Sequence, residues 1–294
     1  ASGGGGGGSS SKQQLLLQQG AMGLWRGVAA GLALRLVLGA AYRSTDFEVH
    51  RNWLAVTSSL PLREWYVDET SPWTLDYPPL FAWFERLLAA FAFYADPAML
   101  ELDNLDYASP RCVAFQRATV VVSELVLLGA VLATVRGGCL SEPRAALALA
   151  FTYLSPGLLI VDHVHFQYNG FLLGVLACSG LALMRGRDLA GGLLFAALLN
   201  LKHLFVYLAP WYFVFLLRHH CGGGRRPGRL LALGGEVAAV FAVAFGPFAA
   251  AGRLPQVLRR LFPFGRGLLH AYWAPNFWAL YAGADKVLEA AARR

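Results

Sequence analysis

An all-α polytopic membrane fold is predicted by three features of this sequence. Hydrophobic residues make up 56% of its 294 residues against 15% charged, and the mean hydropathy is +0.47, too apolar for an ordinary water-soluble domain. The apolar residues fall in runs close to the length, about 20 residues, that carries a helix across the hydrocarbon core. Basic residues cluster beside those runs and form no stripe of their own. The net charge of +7 therefore reads as membrane topology, and a nucleic-acid partner is excluded. Cys112, Cys139, Cys178 and Cys221 are far apart, lack metal-site or redox spacing, and read as ordinary membrane residues.

The elements follow in order. Residues 1–22 are glycine, then serine, then a short Gln/Leu run, a composition expected of a disordered low-complexity tail. It has no cleavable-signal architecture, so targeting falls to the first apolar run, 24–42. A large polar, aromatic-rich loop then occupies 43–111, and 112–135 forms the second pass. Arg136 and Arg144 place the next loop in the cytosol, and 145–160 and 170–184 are the third and fourth passes. The apolar stretch 189–217 poses a conflict, because basic clusters flank both of its ends. Two short passes turning near Asn200, Leu201, Lys202 and His203 keep both clusters cytosolic. That turn then shares a side with the 43–111 loop. The run 230–251 completes about seven passes, and leaves Arg259, Arg260 and Arg266 on the translocated side. Basic residues there break the charge rule, and anion binding supplies a reason. The multi-span region covers 23–288, with 289–294 as its C-terminal end.

Charges and polar islands mark the candidate chemistry. Asp46 and Glu48 directly follow the first pass, either as solvated loop acids or as a carboxylate base held at the membrane surface. Asp76 precedes Tyr77, Pro78 and Pro79, where a turn-forming aspartate is the simpler reading. Glu64, Trp65 and Tyr66 suit an interfacial helix. Arg35 and Glu124 lie inside passes, where a central charge costs roughly 2.5 to 3.5 kcal/mol, so an interhelical ion pair is expected. Arg117, nearer a membrane surface, offers a cation to a phosphate. In the island 162–169, His163 and His165 stand at i and i+2 and do not share a helix face, which disfavours zinc. Sugar or phosphate contact suits these histidines and Gln167 better, with further donors from Lys202, His203 and the 266–276 stretch holding Arg266 and His270. No Gly-rich phosphate loop, G-x-S-x-G nucleophile or zinc-protease motif is present, so a nucleotide sugar is not the expected donor.

Five motifs carry a resemblance. They are Thr-Asp-Phe-Glu-Val-His-Arg-Asn-Trp at 45–53, Trp-Thr-Leu-Asp-Tyr-Pro-Pro at 73–79, His-Phe-Gln-Tyr-Asn at 165–169, Leu-Phe-Pro-Phe at 261–264 and His-Ala-Tyr-Trp-Ala-Pro-Asn-Phe-Trp-Ala-Leu-Tyr at 270–281. Together, over roughly 24–288, they resemble the endoplasmic-reticulum glucosyltransferases that use dolichyl-phosphate glucose to extend the lipid-linked N-glycan precursor. The forms at 47–53 and 270–278 are most similar to the second of two successive members, which acts on the monoglucosylated oligosaccharide. The resemblance implies the glycosyltransferase C fold, with a catalytic first lumenal loop that carries surface-lying helices. It also implies a multi-pass endoplasmic-reticulum protein with a lumenal site, whose partners are dolichyl-phosphate glucose, the lipid-linked acceptor and the bilayer.

The resemblance further implies inversion from a β-linked phosphate donor to an α-1,3 bond, with Asp46 as the single base. Glu48 and Asp76 are possible supporting acids. Arg117, His163, His165, Gln167, Lys202, His203, Arg266 and His270 are candidates for the donor's phosphate or sugar. No cofactor is expected; Asp46-x-Glu48 can also be read as a divalent-ion pair, but a phosphate donor carries less charge than a nucleotide diphosphate. Family members continue beyond the position of Arg294, so truncation is expected. Rival readings are the first member of the pair, a non-catalytic shortened form, and a transporter, although no internal repeat of the transporter kind appears.

Overall fold

The computed structural model describes residues 7–137, 142–263 and 277–293, and among them every regular element is helical. The first is α1 (Gly7–Leu38), followed by α2 (Thr45–Ser59), α3 (Pro79–Ala95) and α4 (Pro110–Arg136). Next come α5 (Glu142–Phe151) and a short α6 (Pro156–Leu158) that runs into a π-helical segment, Leu159–Val164. The chain continues through α7 (Asn169–Met184), α8 (Asp188–Leu201), α9 (Ala209–His219), α10 (Pro227–Ala250), α11 (Leu254–Leu261) and α12 (Phe277–Ala292). Among the described residues three segments, Pro110–Arg136, Arg144–Val164 and Pro227–Ala250, are long and apolar enough to cross a membrane, and α7 and α8 are shorter apolar helices.

Most boundaries follow from local chemistry. Ser44 caps α2 by accepting from the Asp46 amide at 3.2 Å, which sets Asp46 in the first turn. Ser109 caps α4 in the same way at the Cys112 amide, 3.0 Å away, and Pro110 occupies the position where a missing N–H costs nothing. Charge parity required a break inside 189–217, and α8 stops at Leu201 with Lys202 extended at φ −149° and ψ 108°. A 3₁₀ turn, His203–Leu208, then leads into α9. At the other extreme, α1 begins at Gly7, well before the expected start near residue 24. Leucine, lysine and glutamine favour helix, and here they extend the helix that contains the first apolar run.

Helices α4, α7, α8 and α10 pack in succession. Small residues permit the closest crossing: a Cβ at Gly174 would lie 2.4 Å from the Leu127 amide nitrogen. Buried between α1 and α4 is the expected ion pair, with Arg35 Nε donating to Glu124 Oε2 at 2.7 Å. Arg35 also donates to the Tyr153 and Gly31 carbonyls at 2.7 and 3.0 Å, so its guanidinium is well satisfied within the apolar bundle.

The polar loop after α1 is itself a folded unit with a core. Helix α2 packs on α3, and Trp53, Leu54, Phe81 and Met99 are almost wholly buried. His50 Nδ1 lies 2.7 Å from Glu85 Oε1, and its ring sits edge-on to Trp53, Tyr77 and Tyr168. Trp65 and Tyr66 depart from the expected interfacial helix. They follow a single 3₁₀ turn, Leu62–Glu64, and are buried against Phe248 of α10, where a ring gains more from burial than from a belt position.

Candidate functional site

The site forms where α2 meets the segment between the π-helix and α7. Asp46, fixed by the Ser44 cap, presents Oδ2 to Gln167 Nε2 at 2.7 Å and to His165 Nε2 at 3.2 Å. Ser44 Oγ also donates to the His165 carbonyl, so the cap ties the two islands together. The Asp46 side chain is 27% exposed and that of His165 48% exposed, so the carboxylate is braced yet open to an incoming group.

A hydrogen-bond chain runs onward from Gln167. Its Oε1 accepts from Asn169 Nδ2 at 2.8 Å, while Asn169 Oδ1 accepts from Lys202 Nζ at 3.2 Å. Asn169 also donates to Asp162 Oδ1, from Nδ2 at 2.9 Å and from its amide at 3.0 Å, and the Gly170 amide reaches Asp162 Oδ2 at 2.5 Å. Asp162 thus anchors the first turn of α7, where an anion complements the helix dipole. Asn169 holds Gln167 and Lys202 in fixed relation to Asp46.

Backbone geometry explains how the segment turns. The π-helix ends at Val164, and Phe166 takes a left-handed conformation, φ 74°. For a bulky residue that costs on the order of 1–3 kcal/mol. Burial of its ring against Phe47, His50 and Tyr168 offsets the cost. The outcome places His165 and Gln167 beside Asp46.

Lys202 supplies the positive charge of the site. Its Nζ lies 5.1 Å from the centre of the Tyr77 ring, in the turn between α8 and α9. Burial pushes the amine below the ordinary lysine range, while Asp162, Asp46 and Asp76 favour its charged form. Those three carboxylates therefore act together in favour of the ammonium. Burial, then Asp76 and Asp46, push the Tyr77 hydroxyl above its ordinary value, so it stays a neutral phenol. Half-buried Asp76 belongs electrostatically to this same group.

Other sequence candidates lie elsewhere. Glu48 is turned into the loop's core, with Oε2 and Oε1 each 2.8 Å from Arg51, whose remaining donors reach the Met99 and Glu101 carbonyls. An i, i+3 ion pair is the reason it does not join Asp46. His163 is rotated inward by the π-helix, and its Nε2 lies 2.8 Å from Glu124 Oε2. Arg117 donates to the carbonyls of His163 and, at 2.9 Å, Tyr42, which clamps irregular backbone in place of a phosphate. His203 places its ring against Phe262, and its Nδ1 has no hydrogen-bond partner among the described residues. Arg266 and His270 lie outside the described residues.

Sequence reasoning passed over Asn169 and Tyr77 as individual site residues, and expected Arg260, with Arg259 and Arg266, to bind an anion. Arg260 of α11 donates to the Tyr66 carbonyl at 3.1 Å, Thr74 Oγ1 at 3.2 Å and Glu69 Oε1 at 2.8 Å, and so braces the strip leading to Asp76. Its position in a basic run on the translocated side was the available signal. No cluster of three or more His, Cys, Asp or Glu side chains suited to a metal ion occurs among the described residues.

Fold and site together define a helical protein of membrane type whose polar groups converge where its apolar helices end. The chain belongs to the ALG6, ALG8 glycosyltransferase family, whose sequence profile matches residues 31–294. It is 55% identical over 269 residues to the dolichyl pyrophosphate Glc1Man9GlcNAc2 alpha-1,3-glucosyltransferase of Arabidopsis thaliana, covering 90% of this chain and 53% of that protein. The proteins of the same name in Gibberella zeae and Mus musculus are 54% and 49% identical, each covering 87% of this chain and 52% of the relative. The chain spans about half the length of the curated relatives it matches.

Proposed function

We propose that this chain carries the catalytic base and part of the donor site of an α-1,3-glucosyltransferase. In the full-length protein it uses dolichyl-phosphate glucose and acts on the Glc1Man9GlcNAc2 lipid-linked oligosaccharide named for its relatives, at the lumenal face of the endoplasmic-reticulum membrane. The observation that carries this reading is the bracing of half-open Asp46 by Gln167 and His165, with Lys202 joined to the same network through Asn169. Glu48, two residues on, and Glu124, which meets His163, are locked in buried ion pairs.

The chemistry follows a single displacement. Asp46 takes the proton of an acceptor hydroxyl as that oxygen forms a bond to the donor's anomeric carbon from the face opposite the phosphate. The bond from that carbon to the phosphate oxygen breaks, and its electron pair leaves with the phosphate. Inversion converts the β linkage to α. A phosphate monoester of a lipid is an adequate leaving group without an acid, and the Lys202 ammonium stabilises the charge that develops on it. With both lipids confined to one membrane, approach is limited to two dimensions and the orientational cost falls.

The test is complementation. Full-length protein is expressed in cells lacking the second glucosyltransferase activity, and the lipid-linked oligosaccharides are profiled. Wild type removes the monoglucosylated precursor and Asp46→Asn leaves it accumulated. Equal clearance by the variant overturns the assignment of Asp46, and a monoglucosylated precursor that persists with wild type overturns the choice of acceptor and points to the first enzyme of the pair.

A further inference from the structure

A second feature runs along α9 and ends, at His219, on the order of 25 Å along the chain from Lys202. The Trp211 and Phe215 rings stack with centroids 5.4 Å apart and planes 13° apart, and Phe215 and His219 stack at 5.2 Å and 19°. Their i, i+4, i+8 spacing lines one face of the helix. Val214 and Arg218 form the adjoining strip, and these five residues line an open cavity of about 480 Å³.

The trough is chemically polarised. Trp211 and Val214 are exposed and apolar at one end, whereas exposed Arg218 and His219 close the other. His219 Nδ1 lies 3.0 Å from both Asp188 oxygens, which fixes the ring at the end of the stack. Arg218 has no hydrogen bond or ion pair among the described residues. Exposed Arg225, Arg226 and Arg229 follow in the next turn and the start of α10. An apolar trough about 12 Å long that ends in Arg218, with Arg225, Arg226 and Arg229 close behind it in sequence, suits a lipid with an anionic headgroup, since these arginines outnumber the Asp188 carboxylate that holds His219. Inorganic phosphate would leave the aromatic stack uncovered, and a zwitterionic lipid would bring an ammonium towards the arginines.

We propose that this trough is a binding site for an anionic phospholipid, with one acyl chain along Trp211, Val214 and Phe215 and its phosphate at Arg218 and His219. The site is separate from Asp46 and does not depend on the activity assigned to it. Charge parity places this end of α9 at the cytosolic surface, where anionic lipids concentrate.

The experiment is native mass spectrometry of the full-length protein in mild detergent with equimolar phosphatidylserine and phosphatidylcholine. Wild type retains phosphatidylserine in preference. Arg218→Gln lowers that retention about fivefold, the share of one arginine near a headgroup. Arg218→Lys keeps the preference, which separates lost charge from lost folding, and Val214→Trp fills the trough and lowers retention of both lipids. Equal retention of the two lipids by wild type, or unchanged retention by Arg218→Gln, overturns the proposal. A protein segment seated in the trough would leave wild type without bound phospholipid and overturns it equally.

Discussion

Glu48→Gln separates a structural carboxylate from a catalytic one. Glu48 is 6% exposed, and its two oxygens meet Arg51 Nε and Nη2, each at 2.8 Å. Arg51 is wholly buried, and its Nη1 donates to the Met99 and Glu101 carbonyls at 2.9 and 3.0 Å, so the pair joins α2 to the end of the loop. Amide replacement keeps one acceptor but leaves the buried guanidinium without its counter-charge. Breaking such a pair costs about 3 kcal/mol, near the low end for buried pairs because the carbonyl contacts remain. At about 2.1 cal/mol/K of unfolding entropy per residue, a chain of roughly twice this length shifts by about 1 °C per kcal/mol, so the apparent Tm of the full-length protein in detergent falls by roughly 3 °C. Differential scanning fluorimetry reads that shift, and glucosyl transfer per folded molecule at low temperature stays near wild type. An unchanged Tm together with a large fall in transfer refutes the reasoning and restores Glu48 to the reaction.

Lys202→Met is expected to lower transfer about a hundredfold, measured in full-length protein, by removing the charge opposite the leaving phosphate. Because burial depresses the Lys202 amine, the ammonium is lost as pH rises through a lowered pKa; activity falls on the alkaline side, and Lys202→Arg, which does not deprotonate, extends that limb. Arg260→Gln loosens the strip from Tyr66 to Thr74, raising KM for the donor more than it lowers kcat, whereas a role in charge stabilisation would lower kcat alone. Gly174→Val forces a side chain onto the α4 backbone, and the variant shows strongly reduced recovery of folded protein on size exclusion.

Much of this fold is legible in the residues because the bilayer limits the options. The cost of a central charge paired Arg35 with Glu124, and the flanking basic clusters located the break at Lys202. The shared side of the 43–111 loop and the 162–169 island was readable too, since parity fixes sides. Contacts were not. His163 and His165 look equivalent in sequence, but a π-helix turns one inward to Glu124 and leaves the other beside Asp46, and π-helical register has no simple residue signature. Arg117 was expected to meet an anion, yet the irregular backbone at Tyr42 and His163 leaves carbonyls that a buried guanidinium satisfies. Glu48 and Arg51 did carry a local signal, the i, i+3 pair on one helix face, which separates Glu48 from Asp46 before any tertiary contact is known.

The most direct measurement is single-turnover transfer by purified full-length protein, with dolichyl-phosphate glucose and the monoglucosylated lipid-linked acceptor both saturating. Replacement of the base by Asp46→Asn slows the chemical step by about 10²–10⁴-fold while donor binding is unchanged. Transfer by that variant within a few-fold of wild type contradicts the assignment of Asp46 as the base.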